Sequence, residues 1–350
     1  MKNELKIKGL KGAAVKKEIE RYMTQTIIDA INSDSSGHWS KSWKIGKGGQ
    51  GNLPQNQDGT IYNGWNQFHL SSMAAGLGYD SNVWGTFKNW KTKGYFVQKG
   101  SKSVPVIFAK YVFEDNIETG KSEFKYFVYK VYNVFNASQV ADKDKKLASD
   151  SKRYAPKPVE TVEFTNKLCK KVSTEYLTSQ NIGMTGIGGN RSPYYNSGSD
   201  VIGMPALADF IDTNDATAEQ NYFSTLFHEI GHSTGHESRL NRPLGNRFGN
   251  ENYAFEELIA ELTAVFISGH TGLEPTPALN HTSYIKSWND ALKDDPRTII
   301  KAMNKASKAS QFFLDNTSLK IAKPEPAEEI AEKDRTTTTW NEMQKVKKSV

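Results

Sequence analysis

The chain has 350 residues, 37% hydrophobic and 24% charged, which is long enough for two domains with separate cores. Its net charge of +6 hides a split: residues 1–157 carry 25 basic against 14 acidic side chains, and the remainder 20 against 25. No apolar run reaches membrane-spanning length, the charged N-terminus has no apolar signal region, and a lone Cys169 excludes an internal disulfide and a cysteine-ligated zinc knuckle. The default setting is therefore a reducing cytoplasm, with no membrane partner.

The first predicted element is a helix over 11–32, with Val15, Ile19, Met23 and Ile27 on one face. A Gly- and Lys-rich loop over 38–56 follows, carrying Trp39, Lys41, Trp43, Lys44 and Lys47. The run 62–77 reads as a second helix. Beyond it lies a basic stretch over 91–102, punctuated by Gly94 and Gly100. Residues 104–113 and 124–135 are β-branched and aromatic, and the acidic, Gly-containing run between them predicts a hairpin. The charged segment 137–159, with Pro156 and Pro158, reads as a linker.

Between Ser36 and Lys110 stand nine lysines, two acids and five of the chain's seven tryptophans. Lysines neutralise phosphates without reading sequence, and aromatic faces stack on unpaired bases for roughly 1–3 kcal/mol each. Single-stranded nucleic acid suits this composition. Trp39, Lys41, Trp43, Lys44, Lys47, Lys88, Lys91, Lys99 and Lys102 are the candidates for contacting it, while Trp65 and Trp90, inside regular elements, read as core.

The second half opens with a predicted helix over 162–180, then a turn and short strand over 194–205. Its centre is the run 222–236, YFSTLFHEIGHSTGH. His228 and His232 lie one helical turn apart on the same side, so both imidazoles can reach one tetrahedral metal. Glu229 follows the first histidine, placed as a general base toward a water at that metal. Thr234 stands where an apolar residue is commoner. A catalytic zinc has three protein ligands and one open position. The next helix pattern, 255–269, supplies Glu257 and Glu261 on one face; either is the third ligand, the other then supporting a ligating histidine. An analogy with the thermolysin-like arrangement favours Glu257. Tyr194, Tyr195 and His236 are candidates for stabilising an oxyanion or touching substrate. Residues 200–204 form the candidate strand for pairing with a bound peptide. Residues 281–314 predict one or two further helices anchored by Trp288, Ile299 and Phe312, and the biased tail reads as disordered.

The ordered motifs YNGWNQFHL, WGTFKNWKTKGYFVQKGSKSVPVIF, YKVYNVFNASQ, YYNSGSDVIGMP, YFSTLFHEIGHSTGHESRLNR and EELIAELTAVF resemble the ArdC antirestriction proteins of conjugative plasmids and phages, over roughly residues 10–315. The resemblance implies an α+β chain of two domains: a mixed α/β domain that binds single-stranded DNA, then a mostly helical zincin-like metallopeptidase domain with a short sheet. The expected boundaries are 1–137, a linker at 138–159, 160–320, and a tail at 321–350. It implies one zinc per chain at the site of His228, Glu229, His232, Glu257 and Glu261. It further implies action in the cytoplasm of a bacterial host, with a host protein as possible peptidase substrate. The rival readings are a non-catalytic DNA-binding protein with a structural metal, and a protease that cleaves a host regulatory or restriction protein.

Overall fold

The computed structural model describes residues 3–32, 53–115, 122–157, 159–188, 192–213, 216–244, 251–273 and 297–319. Helix α1 spans Ala13–Asn32 and buries Ile19, Tyr22 and Met23; α2 spans Gly64–Leu77. Helix α2 stops at Gly78, whose left-handed φ of 67° turns its amide back to the carbonyls of Ala74 and Ala75. Strand β1 (Gln55–Asn56) precedes α2, and β2 (Val83–Thr86) leads into the short α3 (Phe87–Thr92), capped by the Thr86 hydroxyl. Strands β3 (Phe96–Val97), β4 (Val104–Asp115), β5 (Ser122–Asn136) and β6 (Val140–Ala141) complete the first half.

The predicted hairpin forms: β4 and β5 pair antiparallel from Val104↔Val134 to Asp115↔Ser122, inside a sheet ordered β1-β2-β5-β4. Strand β4 is thus an edge, and Asn66 of α2 covers part of it. The Asn66 amide donates to the Ile107 carbonyl and its carbonyl accepts the Ile107 amide, both at 2.8 Å. One buried side chain satisfies both backbone groups that a further strand would otherwise take.

The linker reading of 138–159 needs correction. Ala137, Val140, Ala148 and Tyr154 pack with Val83 and Trp90 in one apolar cluster, and β6 pairs with β3. Most of its charged residues face water, while Val140, Ala148 and Tyr154 are buried.

In the second half α4 (Val162–Ser179) is capped by Thr161, whose hydroxyl accepts the Phe164 amide. Strands β7 (Gly183–Ile187), β8 (Tyr194–Asn196) and β9 (Val201–Pro205) form a sheet ordered β7-β9-β8. The candidate peptide-pairing strand 200–204 therefore lies at the centre of its sheet. Both of its edges are paired, parallel to β7 and antiparallel to β8, so among the described residues the edges of the sheet are β7 and β8, and β8 is the one that also packs against the helix over 218–233. Helices α5 (Ala218–Ser233), α6 (Glu251–Thr271) and α7 (Arg297–Asp315) follow. Trp288, residues 116–121 and the tail beyond 319 lie outside the described residues, as does the segment 33–52. Among the described residues no helix is long and apolar enough to cross a membrane.

Helix α7 packs against α6 on one side and against α1 and α2 on the other. One apolar core accordingly runs through both halves: Ile19, Met23, Trp65 and Phe68 share it with Leu262, Val265, Phe266, Ile299 and Met303. Inside it His69 stacks on Trp65 at 4.4 Å, with its Nε2 3.1 Å from the Tyr22 hydroxyl. Burial pushes the His69 ring down to about 3, so it stays neutral where an unfolded chain's ring, near 6.5, is already protonated. The unfolded state then binds more protons, and stability falls as pH drops below about 6.5, by about 1.4 kcal/mol per pH unit for this ring. Replacing His69 by Gln is expected to flatten the pH dependence of unfolding free energy, measured with urea between pH 5.5 and 4.5, by that amount. Parallel slopes for the two proteins would mean the ring takes up its proton in the folded state.

Candidate metal centre

Helices α5 and α6 bring the site together, and glycine sets how closely. A capping box at Thr217 and Gln220 starts α5. At Gly231 an added Cβ would lie 2.9 Å from the Ala260 carbonyl oxygen and 3.0 Å from its Cα, so a side chain here would force α6 away.

Across this contact, His228 Nε2 lies 3.1 Å from His232 Nε2 and 3.4 Å from Glu257 Oε2, and His232 Nε2 lies 3.5 Å from Glu257 Oε1. Each imidazole turns its other nitrogen to a different carboxylate. Nδ1 of His228 is 3.1 Å from Glu261 Oε2, and Nδ1 of His232 is 3.6 Å from Glu256 Oε1. In a neutral ring whose proton sits at Nδ1, beside its carboxylate, the Nε2 lone pair is free for a metal, and both Nε2 atoms point into the same small volume. Two facing lone pairs repel unless a cation lies between them.

The donor set fits a divalent metal. A tetrahedral ion with bonds near 2.0 Å separates its ligand atoms by about 3.3 Å; the two Nε2 atoms stand 3.1 Å apart, and the Glu257 carboxylate turns one oxygen to each of them, Oε2 at 3.4 Å and Oε1 at 3.5 Å. His228, His232 and Glu257 are the three-donor group that the described residues form. The electrostatics agree. Burial opposes a charged ring at both histidines, but Glu257 and Glu261 raise His228 well above the usual imidazole value, and Glu256 and Glu257 raise His232 to about 9. Burial likewise opposes charge on Glu257, yet the two imidazoles hold it below the ordinary carboxylate range. The site is built to hold positive charge. Glu229 is buried in the same helix turn, beside His228.

Arg242 and the role of Glu256 escaped the sequence reading. Buried Arg242 grips Glu256 through Nε (3.0 Å) and Nη2 (2.6 Å), and its Nη1 donates to the Thr234 hydroxyl at 2.7 Å. Thr234, unusual for its place after the motif, is thus explained as an acceptor. The only signals for this cluster in the sequence were that threonine and the Glu256–Glu257 doublet.

The three oxyanion or substrate candidates differ. Tyr194 is exposed on β8. Tyr195 donates its hydroxyl proton to Asp200 at 2.7 Å, and Arg239 binds both groups, so that proton is committed. His236 turns Nδ1 to the Ser238 hydroxyl at 2.7 Å.

Of the nucleic-acid candidates, Lys88, Lys91, Lys99 and Lys102 are exposed; Trp39, Lys41, Trp43, Lys44 and Lys47 lie outside the described residues. Trp65, Trp84 and Trp90 are buried, as the core reading of two of them expects. Exposed aromatics occur elsewhere. Phe87 and Phe96 are 56% and 50% exposed, and on the hairpin Phe108 (43%) meets Tyr132 (45%) edge to face at 5.9 Å. Lys130, exposed, stands directly across from Phe108. Strand alternation could have flagged these two rings, since their neighbours Ile107 and Val131 face the core.

Residues 17–135 match the N-terminal domain of anti-restriction factor ArdC, and residues 175–305 match a zincin-like metallopeptidase family. Crystal structures of the antirestriction protein ArdC from plasmid R388, one metal-free and one Mn(II)-bound, are similar in fold, each at TM-score 0.64 and 30% identity. The metal-free one is matched over 85% of this chain and 97% of its own length. Protein y4eC of Sinorhizobium fredii is 29% identical over 85% of this chain and 91% of its own. A DNA primase TraC of Escherichia coli is 28% identical over 86% of this chain, which spans 27% of that larger protein.

Proposed function

The chain belongs to the ArdC antirestriction family, and on that premise we propose that it engages incoming single-stranded DNA in the cytoplasm of a bacterial host and carries a zinc-dependent peptidase centre. The observation that carries the second part is the convergence of the His228 and His232 Nε2 atoms and the Glu257 carboxylate on one small volume, with His228 and Glu257 buried and His232 partly so. His228, His232 and Glu257 hold one zinc, and Glu261 orients His228 through Nδ1. Bound there, the metal supplies Lewis acidity toward a scissile carbonyl. Glu229 takes the proton of the attacking water and delivers it to the leaving amine nitrogen. A polypeptide of the host, laid along the open edge of β8 beside Tyr194, is the substrate we assign. Zinc content by elemental analysis tests the centre: about one zinc per chain is expected, and a chain that stays metal-free after purification in zinc overturns the reading.

The nucleic-acid reading rests on the basic first half and on lysines and aromatic rings exposed within it. In the full chain, replacing Lys88, Lys91, Lys99 and Lys102 by Ala is expected to flatten the salt dependence of single-strand binding, by roughly 0.7 in logarithmic slope per lost phosphate contact. Replacing Phe108 and Tyr132 by Ala is expected to weaken binding by roughly 1–3 kcal/mol per lost base stack and leave that slope unchanged. Fluorescence anisotropy across a salt series reads both. A clear preference for duplex would contradict stacking on unpaired bases.

A further inference from the structure

Four carboxylates are buried at the centre, the donor Glu257 with Glu229, Glu256 and Glu261 beside it, and Glu256 is tied to the Arg242 guanidinium. Resting on the metal reading above, we propose that Arg242 is a positioning residue for the metal centre. By clamping Glu256 against Nδ1 of His232, it holds that ring with Nε2 turned to the cation.

The clamp is built from several directions. Arg242 is 8% exposed, and four of its five side-chain N–H groups have acceptors. Nε and Nη2 take the two oxygens of Glu256, Nη2 also takes the Gly231 carbonyl at 2.8 Å, and Nη1 takes Thr234 Oγ1. The backbone amide of Arg242 donates to the Gly235 carbonyl at 2.9 Å. Gly235 lies against the guanidinium: a Cβ there would come within 3.0 Å of Nη2 and 3.1 Å of Cζ. Residues 231, 234 and 235, which end the metal helix, thus form a cradle for one planar fork. The two-pronged grip fixes the plane of the Glu256 carboxylate, as an ammonium could not. With that plane fixed, Oε1 faces Nδ1 of His232 at 3.6 Å, the counterpart of Glu261 at His228.

Arg242 also links the loop after α5 to α6, so a purely architectural role must be separated from a role exerted through Glu256. A double-mutant cycle does this, with zinc affinity read by competition against a chromophoric chelator and the geometry of the centre read by cobalt(II) visible absorption. Glu256→Gln and Arg242→Met are each expected to weaken zinc about 10- to 100-fold and to change the cobalt bands. In the double variant the loss should be no more than about threefold beyond the worse single one, because both act on the same ring. Losses that multiply, or wild-type affinity and bands in either single variant, overturn the proposal. Should Arg242→Met not fold, as judged by circular dichroism without metal, Arg242→Lys takes its place in the cycle. It keeps the charge, loses the fork, and should still weaken zinc and shift the bands; wild-type behaviour there also overturns the proposal. If the wild-type chain takes up neither zinc nor cobalt, the metal reading itself falls, which these variants cannot mimic.

Discussion

Changing Glu229 to Gln should leave metal content and fold intact while lowering hydrolysis of an unfolded protein substrate by about 10²–10⁴-fold, the usual contribution of a general base. The substitution keeps the side chain's size in a buried position and removes only its ability to accept and return a proton. Metal analysis and thermal melting provide the controls, and hydrolysis is measured with and without single-stranded DNA. Undiminished hydrolysis would move the base elsewhere. A chain with full metal and no hydrolysis in either form would instead favour a structural metal and protection of DNA by occupancy alone.

Loss of Glu257 should be far more damaging to the metal than loss of Glu261. Glu257 oxygens lie 3.4 Å and 3.5 Å from the two inward-facing Nε2 atoms, whereas Glu261 touches His228 at the opposite nitrogen. Glu257→Ala removes a donor and leaves two histidines, which hold a divalent ion poorly. Glu261→Ala leaves three donors and is expected to cost the roughly 10- to 100-fold typical of a partner behind a ligand. Chelator competition on the two variants gives the order directly; the reverse order would make Glu261 the ligand. Because metal binding is coupled to folding, the gain in melting temperature on adding zinc should follow the same ranking.

What could be read ahead of the structure was whatever is local. The spacing of His228 and His232 fixes their shared face within a single turn, and the local patterns over 11–32, 62–77, 162–180, 222–236 and 255–269 place α1, α2, α4, α5 and α6 to within a few residues. Choosing between Glu257 and Glu261 required the rotation of α6 against α5, which depends on a backbone contact at Gly231 and is set by no residue within α6 alone. Arg242 was invisible for the same reason: its partners come from two helices, and an isolated arginine in a loop looks like any surface charge. Residues 194–205 contain two strands separated by a tight turn, with Asp200 at φ 52°. Read as a turn and a single short strand, they leave out β8, which pairs with β9 and takes one of its edges. The segment 138–159 misled through average composition, since three or four buried residues suffice to pack a charged stretch.

The core that runs through α7 makes the sequence boundary between the halves different from a boundary in stability. A cut near residue 157 would take away Ile299, Met303, Val265 and Phe266, and leave Ile19, Trp65 and Phe68 facing solvent. For the same reason the halves are poor modules for exchange. A recombinant that joined either half to a divergent partner would have to rebuild a jigsaw of large side chains across the join. Selection then acts on the pair, and gene shuffling should move both together. The alignment with the larger DNA primase TraC runs over 319 residues and so spans both halves.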